Sequence, residues 1–364
     1  MPDLVSLGWG PFFSSQLDDL ARESDPPGRA LGGGPLLPGR AVADRGPRLL
    51  VRFEAGDRLV VIPGRLRAAG QVPVVGDFVL APPSAPGQEP EVVRVLERRS
   101  ALRRGAAGRA GVEQVLAANL DVVLVVHGLD AGPNPRRLER TLAAVHQGGA
   151  AAAVVLAKAD LCADPRAAHD QAMRSVSGTP VVVVSCATGE GLKDVRALLA
   201  PGLTGLLVGP SGAGKSTLVN SLLGEELRPV GEVRERDRRG RHVTTGRELI
   251  ELPGGGLLID GPGIRELKLW DGGGLGTAFG DVEELARGCR FRDCHHLREP
   301  GCAVVAAVER GKLDAARLEN LHKLERESTA AERRRMLGPA RAERERGRAI
   351  ARLARQRRRL LGEE

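Results

Sequence analysis

Residues 209–217 have the types and spacing of a loop that binds phosphate groups. They run Gly-Pro-Ser-Gly-Ala-Gly-Lys-Ser-Thr and fit the pattern Gly, four residues, then Gly-Lys-Ser. In such a loop the glycines let backbone N–H groups turn toward phosphate oxygens, Lys215 reaches the β- and γ-phosphates, and the Ser216 hydroxyl binds Mg²⁺. The predicted phosphate-binding residues are Gly209, Ser211, Gly212, Ala213, Gly214, Lys215, Ser216 and Thr217.

The residues on either side give this loop the context that the motif requires. The apolar run Leu206-Leu207-Val208 precedes it, and a helical stretch through Leu223 follows. A strand before the loop and a helix after it make a chance match a weak alternative. The loop alone does not separate ATP from GTP, so the choice of base has to come from other residues.

Two loops earlier in the chain predict recognition of guanine. A strand-like run ends in Ala157-Lys158-Ala159-Asp160, where GTPases carry Asn-Lys-x-Asp. The Asp carboxylate accepts hydrogen bonds from guanine N1–H and the 2-amino group, and the Lys stem packs on the base. Ala157 replaces the Asn, so this loop loses a polar contact. The next loop, Ser185-Cys186-Ala187, resembles the Ser-Ala loop of GTPases, and the pair favours GTP and GDP as ligands.

The remaining nucleotide-binding residues follow the phosphate loop. Asp260 and Gly263 form an Asp-x-x-Gly motif, in which Asp260 holds Mg²⁺ through water and the Gly263 N–H meets the γ-phosphate. Thr244 or Thr245, in a polar loop between the two motifs, could close over Mg²⁺ as a switch, and the sequence does not choose between these hydroxyls. The base loops thus precede the phosphate loop, the reverse of a small GTPase, which predicts a circularly permuted α/β domain.

The residue that would position the attacking water is not in its usual place. Ras-like enzymes place a Gln directly after the Asp-x-x-Gly motif, whereas this chain has Ile264. His242, just before the Thr pair, is the candidate for this role, and a loop His without a catalytic role is the alternative. The predicted catalytic residues are His242, Lys215, Thr244 and Thr245.

Cysteine and histidine residues crowd together after residue 288. Cys289, Cys294 and Cys302 offer three thiols, and the adjacent His295 and His296 offer imidazoles. Three thiolates and one imidazole make a closed tetrahedral site for structural zinc, with no position left open for catalysis. Cys162 and Cys186 stand apart and are expected to pack rather than bind metal.

The elements that must position these residues change in character along the chain. Short strand-like runs separated by turns predict a small all-β barrel, and alternating buried strands and helices then predict a mostly parallel sheet. The predicted division of the multidomain chain is a flexible arm (1–47), a small all-β barrel (48–115), a permuted α/β P-loop GTPase domain (116–280), a mainly helical zinc-binding domain (281–328) and a basic extension (329–364).

Charge predicts an anionic partner. The net charge is +8, and residues 323–364 carry 14 Lys or Arg against 7 Asp or Glu. Nucleic acid is the usual partner of such a tail, and a solvated helix is the alternative. Arginines that could contact phosphates, or else form a solvated rim, are Arg65, Arg67, Arg98, Arg99, Arg103 and Arg104. No apolar run reaches the roughly 18 residues that span a bilayer, and the N-terminus lacks the pattern of a signal peptide, so we expect a cytoplasmic protein with no membrane partner.

These motifs together resemble ribosome small subunit-dependent GTPase A, a family of circularly permuted GTPases. The resemblance extends from about residue 48 to 325 and includes residues 75–77, 117–121, 188–192, 240–245 and 260–266. It implies an OB-type barrel, a permuted GTPase domain and a zinc-binding domain in which His296 is the imidazole ligand. It also implies GTP hydrolysis stimulated by the 30S subunit and contact with 16S rRNA. The chain departs from the family at Ala157, Cys186 and Val243.

Three functions fit the sequence to different degrees. The first is a monomeric GTP hydrolase in late maturation of the 30S subunit, whose nucleotide state controls its release. The second is a P-loop ATPase or kinase with an RNA-binding domain, for which Ala157 leaves room. The third is an RNA-binding scaffold that uses nucleotide only structurally, and the Lys215, Ser216 and Asp260 set argues against it.

Overall fold

The structure is a computed structural model of the 364-residue chain, and it describes residues 3–23, 35–85, 87–105, 113–132, 134–224, 247–260 and 273–337. An N-terminal helix and a β-barrel come first, an α/β domain follows, and helices end the described part. The barrel, the α/β domain and the helical part are those predicted for the fold class.

Where the structure describes the predicted flexible arm (1–47), at residues 3–23 and 35–47, the chain forms a packed helix and a barrel strand instead; residues 1–2 and 24–34 lie outside the described residues. Helix α1 (Pro11–Glu23) lies on the barrel. Its Phe13 ring lies 4.4 Å from that of Phe78 between centroids, and the Trp9 ring lies 5.0 Å from the same Phe78 ring in an edge-on contact. Aromatic contacts of this kind fix the segment in place. The Gly- and Pro-rich composition nearby predicted an arm, whereas the apolar residues Trp9 and Phe13 dock it on the barrel.

The barrel has the strand order of an OB fold. Its elements are β1 (Leu37–Arg45), β2 (Arg48–Phe53), β3 (Gly56–Val61), α2 (Gly64–Ala68), β4 (Phe78–Ala81) and β5 (Arg94–Val95). β1 pairs with both β2 and β4, β2 pairs with β3, and β4 pairs with β5. A parallel bridge from Val61 to Glu91 closes the circle. Phe53 and Phe78 are buried, as expected of core residues.

Strand β1 lies within the region predicted to be an arm, so the barrel begins before residue 48. The strand contains Pro38 and Gly39, which are typical of turns and hid it from sequence analysis. The Gly39 position has a packing reason, because an added methyl group would lie 2.6 Å from the Phe53 ring. Pro38 comes near the start of the strand, where a residue without an N–H is tolerated.

A hairpin and one open sheet form the α/β domain. The hairpin is β6 (Ala101–Gly105) with β7 (Glu113–Ala118). The sheet order is β10-β9-β8-β11-β13-β12, and β12 alone among these strands is antiparallel to its neighbour in the sheet, β13. Its elements are β8 (Val122–Gly128), α3 (Pro135–Gln147), β9 (Ala151–Ala157), α4 (Pro165–Ser175), β10 (Val181–Val184), α5 (Leu192–Ala197), β11 (Thr204–Val208), α6 (Lys215–Leu223), β12 (Glu248–Glu251) and β13 (Leu257–Asp260).

Local sequence explains these elements. Asn134 and Asp164 cap α3 and α4 by accepting a backbone N–H in the first turn, and a proline follows each cap. Every residue of β8 is buried, with Val123 and Val125 in one apolar cluster and Leu124 in the other. Continuous apolar runs are the pattern of a parallel sheet covered on both faces. The predicted alternation of buried strands and helices, with a mostly parallel sheet, is confirmed.

The C-terminal helices pack on α3 through a buried arginine. They are α7 (Leu275–Ala278), α8 (Gly280–Ala286), α9 (Ala303–Glu309) and α10 (Ala315–Leu337). Arg317 forms ion pairs with Glu139 at 2.9 Å and Asp281 at 2.7 Å, and it also donates to two backbone carbonyls. Helix α10 continues to Leu337, so the predicted boundary at 328 falls inside a helix. No helix in the part of the chain that the structure describes is long and apolar enough to cross a membrane.

A second buried arginine joins the N-terminal segment, the barrel and the α/β domain. The Arg40 side chain is 1% exposed and donates to the carbonyl oxygens of Leu7, Gly76 and Asn119. Burial lowers the pKa of Arg40 to about 10, so the guanidinium remains protonated at neutral pH. One side chain thus satisfies three buried carbonyl groups from three parts of the chain.

Replacement of Arg40 should therefore destabilise the whole N-terminal half. Arg40→Met removes the donor to the Leu7 and Asn119 carbonyls, while the Gly76 carbonyl keeps the Asn119 side-chain amide, and we expect the free energy of unfolding to fall by about 3 kcal/mol. Urea denaturation followed by circular dichroism measures this loss. Arg45→Met, which removes an exposed arginine of the same strand, should change stability by less than about 0.5 kcal/mol. Equal stabilities of the two variants would contradict the role of Arg40.

Candidate functional site

The phosphate loop connects β11 to α6, as its sequence predicts. Gly209, Gly212 and Gly214 have φ values of +149°, +79° and +94°, which side chains rarely adopt. A methyl group at Gly209 would also collide with the carbonyl oxygen of Val126 at the end of β8. The loop therefore lies directly on the neighbouring strand, and its glycines are required both for conformation and for space.

Lys215 and the first turn of α6 provide the positive charge of this loop. The Lys215 ammonium donates to the carbonyl oxygens of Gly209 at 2.9 Å and Pro210 at 2.6 Å, so it lies over the loop. Ser216 and Thr217 follow in the first turn of the helix. A helix N-terminus presents free N–H groups and a partial positive charge, which suit phosphate oxygens.

The two predicted base loops are joined by a hydrogen bond. Asp160 lies in a 3-10 turn after β9, and Ser185 follows β10, the adjacent parallel strand. The Ser185 hydroxyl donates to the Asp160 carboxylate at 2.6 Å and accepts the Thr188 N–H at 3.2 Å. Ser185 is 1% exposed. This bond fixes the direction of the carboxylate that is predicted to recognise guanine.

The base loops touch the phosphate loop despite their separation in sequence. A methyl group at Gly214 would lie 3.6 Å from the Ala157 Cβ and 3.9 Å from the Lys158 Cγ. Ala157 is buried beneath this contact, and Lys158 has a φ of +62°. The predicted phosphate loop and the first predicted base loop therefore lie side by side.

Cys186 packs beside this site. It is half-buried against the core on one face of the sheet. Burial raises the pKa of the Cys186 thiol, so the thiol is uncharged at neutral pH. The packing role predicted for Cys186 agrees with this position.

Asp260 lies at the same edge of the sheet as the phosphate loop. Its strand, β13, neighbours β11 on the side away from β8. Asp260 ends β13, which runs parallel to β11, and it is half-buried. The carboxyl ends of parallel strands meet at one edge, so Asp260 follows the strand next to the phosphate loop. His242, Thr244, Thr245 and Gly263 lie outside the residues that the structure describes.

The structure brings three cysteines and one histidine together. The ligand atoms of Cys289, Cys294, His296 and Cys302 all lie within 4.8 Å of one another. His296 Nδ1 lies 3.6 Å from the Cys289 sulfur and 3.5 Å from the Cys302 sulfur. His295 is exposed and its side chain is not in the cluster. Three thiols and one imidazole around a common point fit tetrahedral zinc.

The loop that carries His296 is ordered by Glu299. The Glu299 carboxylate accepts the backbone N–H groups of His295 at 3.0 Å, Leu297 at 2.9 Å and Arg298 at 3.1 Å. Backbone hydrogen bonds from Glu299 itself and these residues lower its pKa to about 2. The carboxylate therefore remains ionised at neutral pH and holds the loop in a fixed shape.

One arginine predicted to contact nucleic acid is not available for it. Arg98 donates two hydrogen bonds to the buried carboxylate of Asp77, at 2.8 Å and 2.7 Å. Removal of Arg98 from this pair would leave a buried unpaired charge, so the prediction for Arg98 is wrong. Arg65 and Arg99 are about half exposed and keep accessible guanidinium groups.

The sequence analysis missed Asp130, which lies at the same edge. Its carboxylate forms an ion pair of 2.6 Å with Lys158. Asp130 follows β8, a buried strand next to the one that carries Lys158. An acidic residue directly after a buried parallel strand was the available signal, because the carboxyl ends of such strands converge.

Comparison with protein families and relatives identifies similar proteins. The model of the family described as RsgA GTPase matches residues 95–270. A protein of Opitutus terrae named small ribosomal subunit biogenesis GTPase RsgA is 41% identical over 375 aligned positions, which cover 99% of each chain. A protein of the same name from Xylella fastidiosa strain M23 is 48% identical over 265 residues, 72% of this chain and 78% of the relative.

Two solved structures share the fold. YjeQ from Thermotoga maritima superposes with a TM-score of 0.61 at 24% identity and covers 81% of this chain and 99% of its own. YloQ, described as a circularly permuted GTPase, gives a TM-score of 0.58 at 24% identity, over 83% and 98% of the two chains. These likenesses support the predicted fold class.

Gly209 offers a test of the close contact beneath the phosphate loop. Gly209→Ala adds a methyl group that would displace β11 from β8, and we expect a loss of about 3 kcal/mol in the free energy of unfolding. Gly189→Ala also places a side chain at positive φ, but open space surrounds it, so its cost should be about 1 kcal/mol. Urea denaturation of both variants makes the comparison. Equal losses would show that the contact with Val126 is unimportant.

Proposed function

The chain belongs to the RsgA GTPase family, and on that premise we propose that it hydrolyses GTP during late maturation of the small ribosomal subunit. The observation that carries the proposal is the contact of Gly214 with Ala157 and Lys158. This contact joins the phosphate loop to a base loop that lies some 50 residues earlier in the chain. One nucleotide could therefore contact both loops. Subunit stimulation and nucleotide-controlled release are part of the proposal.

The phosphates would bind at the N-terminus of α6. Lys215 would exchange its carbonyl partners, Gly209 and Pro210, for β- and γ-phosphate oxygens. The Ser216 hydroxyl would bind Mg²⁺ directly and Asp260 would hold it through water. The ion would neutralise charge that develops on the phosphates during hydrolysis.

The base would bind between the loops after β9 and β10. The hydrogen bond from Ser185 orients the Asp160 carboxylate, which would accept from guanine N1–H and the 2-amino group. Adenine lacks this pair of donors. Ala157 contributes no polar contact, so selectivity for guanine would depend on the oriented Asp160.

We propose His242 as the group that positions the attacking water. Ile264 has no polar group for this role. Thr244 or Thr245 would close over Mg²⁺ when GTP is bound, which would bring His242 toward the γ-phosphate. Hydrolysis by the free protein would then be slow, and binding of the 30S subunit would accelerate it.

The zinc site would hold the C-terminal part together. Cys289, Cys294, His296 and Cys302 would bind one zinc ion with no open position, which gives it a structural role. Zinc in such a site neutralises thiolates and fixes the loops that carry them.

The 30S subunit and its 16S rRNA are the proposed partners. Relatives at 41–48% identity are named for biogenesis of the small ribosomal subunit. Arginines on the barrel and the basic residues after 328 would contact phosphate groups, with steep dependence on salt. Assembly of these subunits is cytoplasmic, which would place the protein there, and we propose that it acts as a monomer.

A P-loop ATPase or kinase is the alternative that Ala157 left open. The Ser185–Asp160 hydrogen bond favours guanine instead, because it presents a fixed acceptor to a base with two adjacent donors. Direct competition between GTP and ATP for the purified protein separates these functions.

The central experiment measures GTP turnover with and without purified 30S subunits. We expect slow turnover by the free protein and stimulation by the subunit. Lys215→Ala should abolish both activities, and His242→Ala should retain GTP binding but lose stimulation. Glu319→Gln, at an exposed ion pair far from the site in sequence, should behave as the wild type. Full turnover by Lys215→Ala would contradict the site, and full stimulation of His242→Ala would contradict the role of His242.

Zinc content tests the metal site separately. The wild-type chain should contain one zinc ion by mass spectrometry of the metal, and Cys302→Ser should lose most of it because three ligands no longer close the site. Cys162→Ser, at a half-buried cysteine outside the cluster, should keep its zinc. Unchanged zinc in Cys302→Ser would exclude Cys302 as a ligand.

A further inference from the structure

Asp130 lies against Lys158 at the edge of the proposed base site. The two residues follow β8 and β9, adjacent parallel strands, and their charged atoms are 2.6 Å apart. We propose that Asp130 is a positioning residue that holds the Lys158 side chain across the face of the purine and thereby sets nucleotide affinity. This inference rests on the proposed function of the pocket.

The stem of Lys158 lies between two glycines. A methyl group at Gly128 would be 3.5 Å from the Lys158 Cδ and 2.5 Å from the Asp130 carboxylate. On the other side, a methyl group at Gly214 would be 3.9 Å from the Lys158 Cγ. The stem thus passes within van der Waals reach of both glycines, and the missing side chain at Gly128 makes room for the Asp130 carboxylate that holds the end of the stem.

Neither the backbone conformation of Lys158 nor the side chain of Ala157 holds the Lys158 side chain in one position. Lys158 has a left-handed φ of +62°, which a non-glycine residue adopts at some cost. The Ala157 side chain has no polar group that could form a hydrogen bond between this turn and the phosphate loop. The ion pair with Asp130 supplies a polar tie between the base loop and the loop after β8.

The turn that carries Asp130 is itself fixed. His127, which is 7% exposed, lies 2.8 Å through Nε2 from the Gly132 carbonyl oxygen. A carbonyl only accepts, so Nε2 carries the hydrogen and donates. This hydrogen bond closes the turn of residues 129–131, which carries Asp130 beside Lys158.

The ion pair would matter more for binding than for folding. The side chains of Lys158 and Asp130 are 28% and 42% exposed, and such pairs contribute little to stability in water. A purine on the Lys158 stem would displace water and strengthen the pair. Coulomb forces alone predict the opposite effect of removing Asp130, because loss of a negative charge favours an anionic nucleotide. Weaker nucleotide binding after removal of Asp130 would therefore show that the Lys158 side chain has lost its position.

The test measures affinities of the full chain for GDP and inosine diphosphate with a fluorescent GDP competitor. Asp130→Ala should weaken binding of both nucleotides by the same factor, about threefold to fivefold, because the purine face is common to both. Its KM for GTP in the presence of 30S subunits should rise while kcat stays unchanged, and Asp130→Glu should restore part of the affinity. The melting temperature should not change.

Two further variants separate the possible outcomes. Glu89→Ala breaks a similarly exposed ion pair, with Arg48, on the barrel and should bind both nucleotides as the wild type does. Asp160→Asn should lose the preference for GDP over inosine diphosphate, which lacks the 2-amino group. If Asp160→Asn behaves so and Asp130→Ala binds both nucleotides normally or more tightly, the inference is wrong and the proposed function stands. If Asp160→Asn keeps the preference, the proposed base site fails.

Discussion

Close approach of backbones at one edge of the parallel sheet is the constraint on which the site depends. The phosphate loop lies on the end of β8 at Gly209 and against the base loop at Gly214. A methyl group at Gly209 would collide with the Val126 carbonyl and separate the loop from β8, whereas one at Gly214 would meet the base loop in van der Waals contact. Since the sheet order β9-β8-β11 brings the loops within reach of one another, the order of the motifs along the chain has no influence on the site. A permuted connection can therefore retain the same pocket.

Two buried arginines attach the flanking parts to this sheet in the same way. Arg40 binds carbonyl groups from the N-terminal segment, the barrel and the α/β domain, and Arg317 joins α10 to α3 and α8. A guanidinium has five donors in a fixed plane and can satisfy several acceptors at once. Each such side chain makes the position of one part depend on another, which links the proposed RNA-binding and zinc-binding parts to the nucleotide site.

Most of the strands and helices followed from local sequence patterns. The exceptions, β1 and the N-terminal helix, both depend on contacts with residues that are distant in sequence. Buried apolar runs such as Val122–Gly128 and capped helices such as Pro135–Gln147 carry their signals within a few residues. Strand β1 carried Pro38 and Gly39, signals of a turn, because its strand character comes from pairing with β2 and β4. The N-terminal helix was missed because its anchor, the Phe78 ring, lies far away in sequence.

The sequence by itself determined the chemistry of this protein: a phosphate loop, a Lys and an Asp for the base, and three thiols with an imidazole. Residue types and short spacings are sufficient for this, since each motif is local. Only the tertiary structure decided that Ser185 orients Asp160, that the three thiols and the His296 imidazole meet around one point, and that Asp130 meets Lys158. These contacts join separate turns, and their geometry comes from strand order and side-chain direction, which spacing along the chain does not encode.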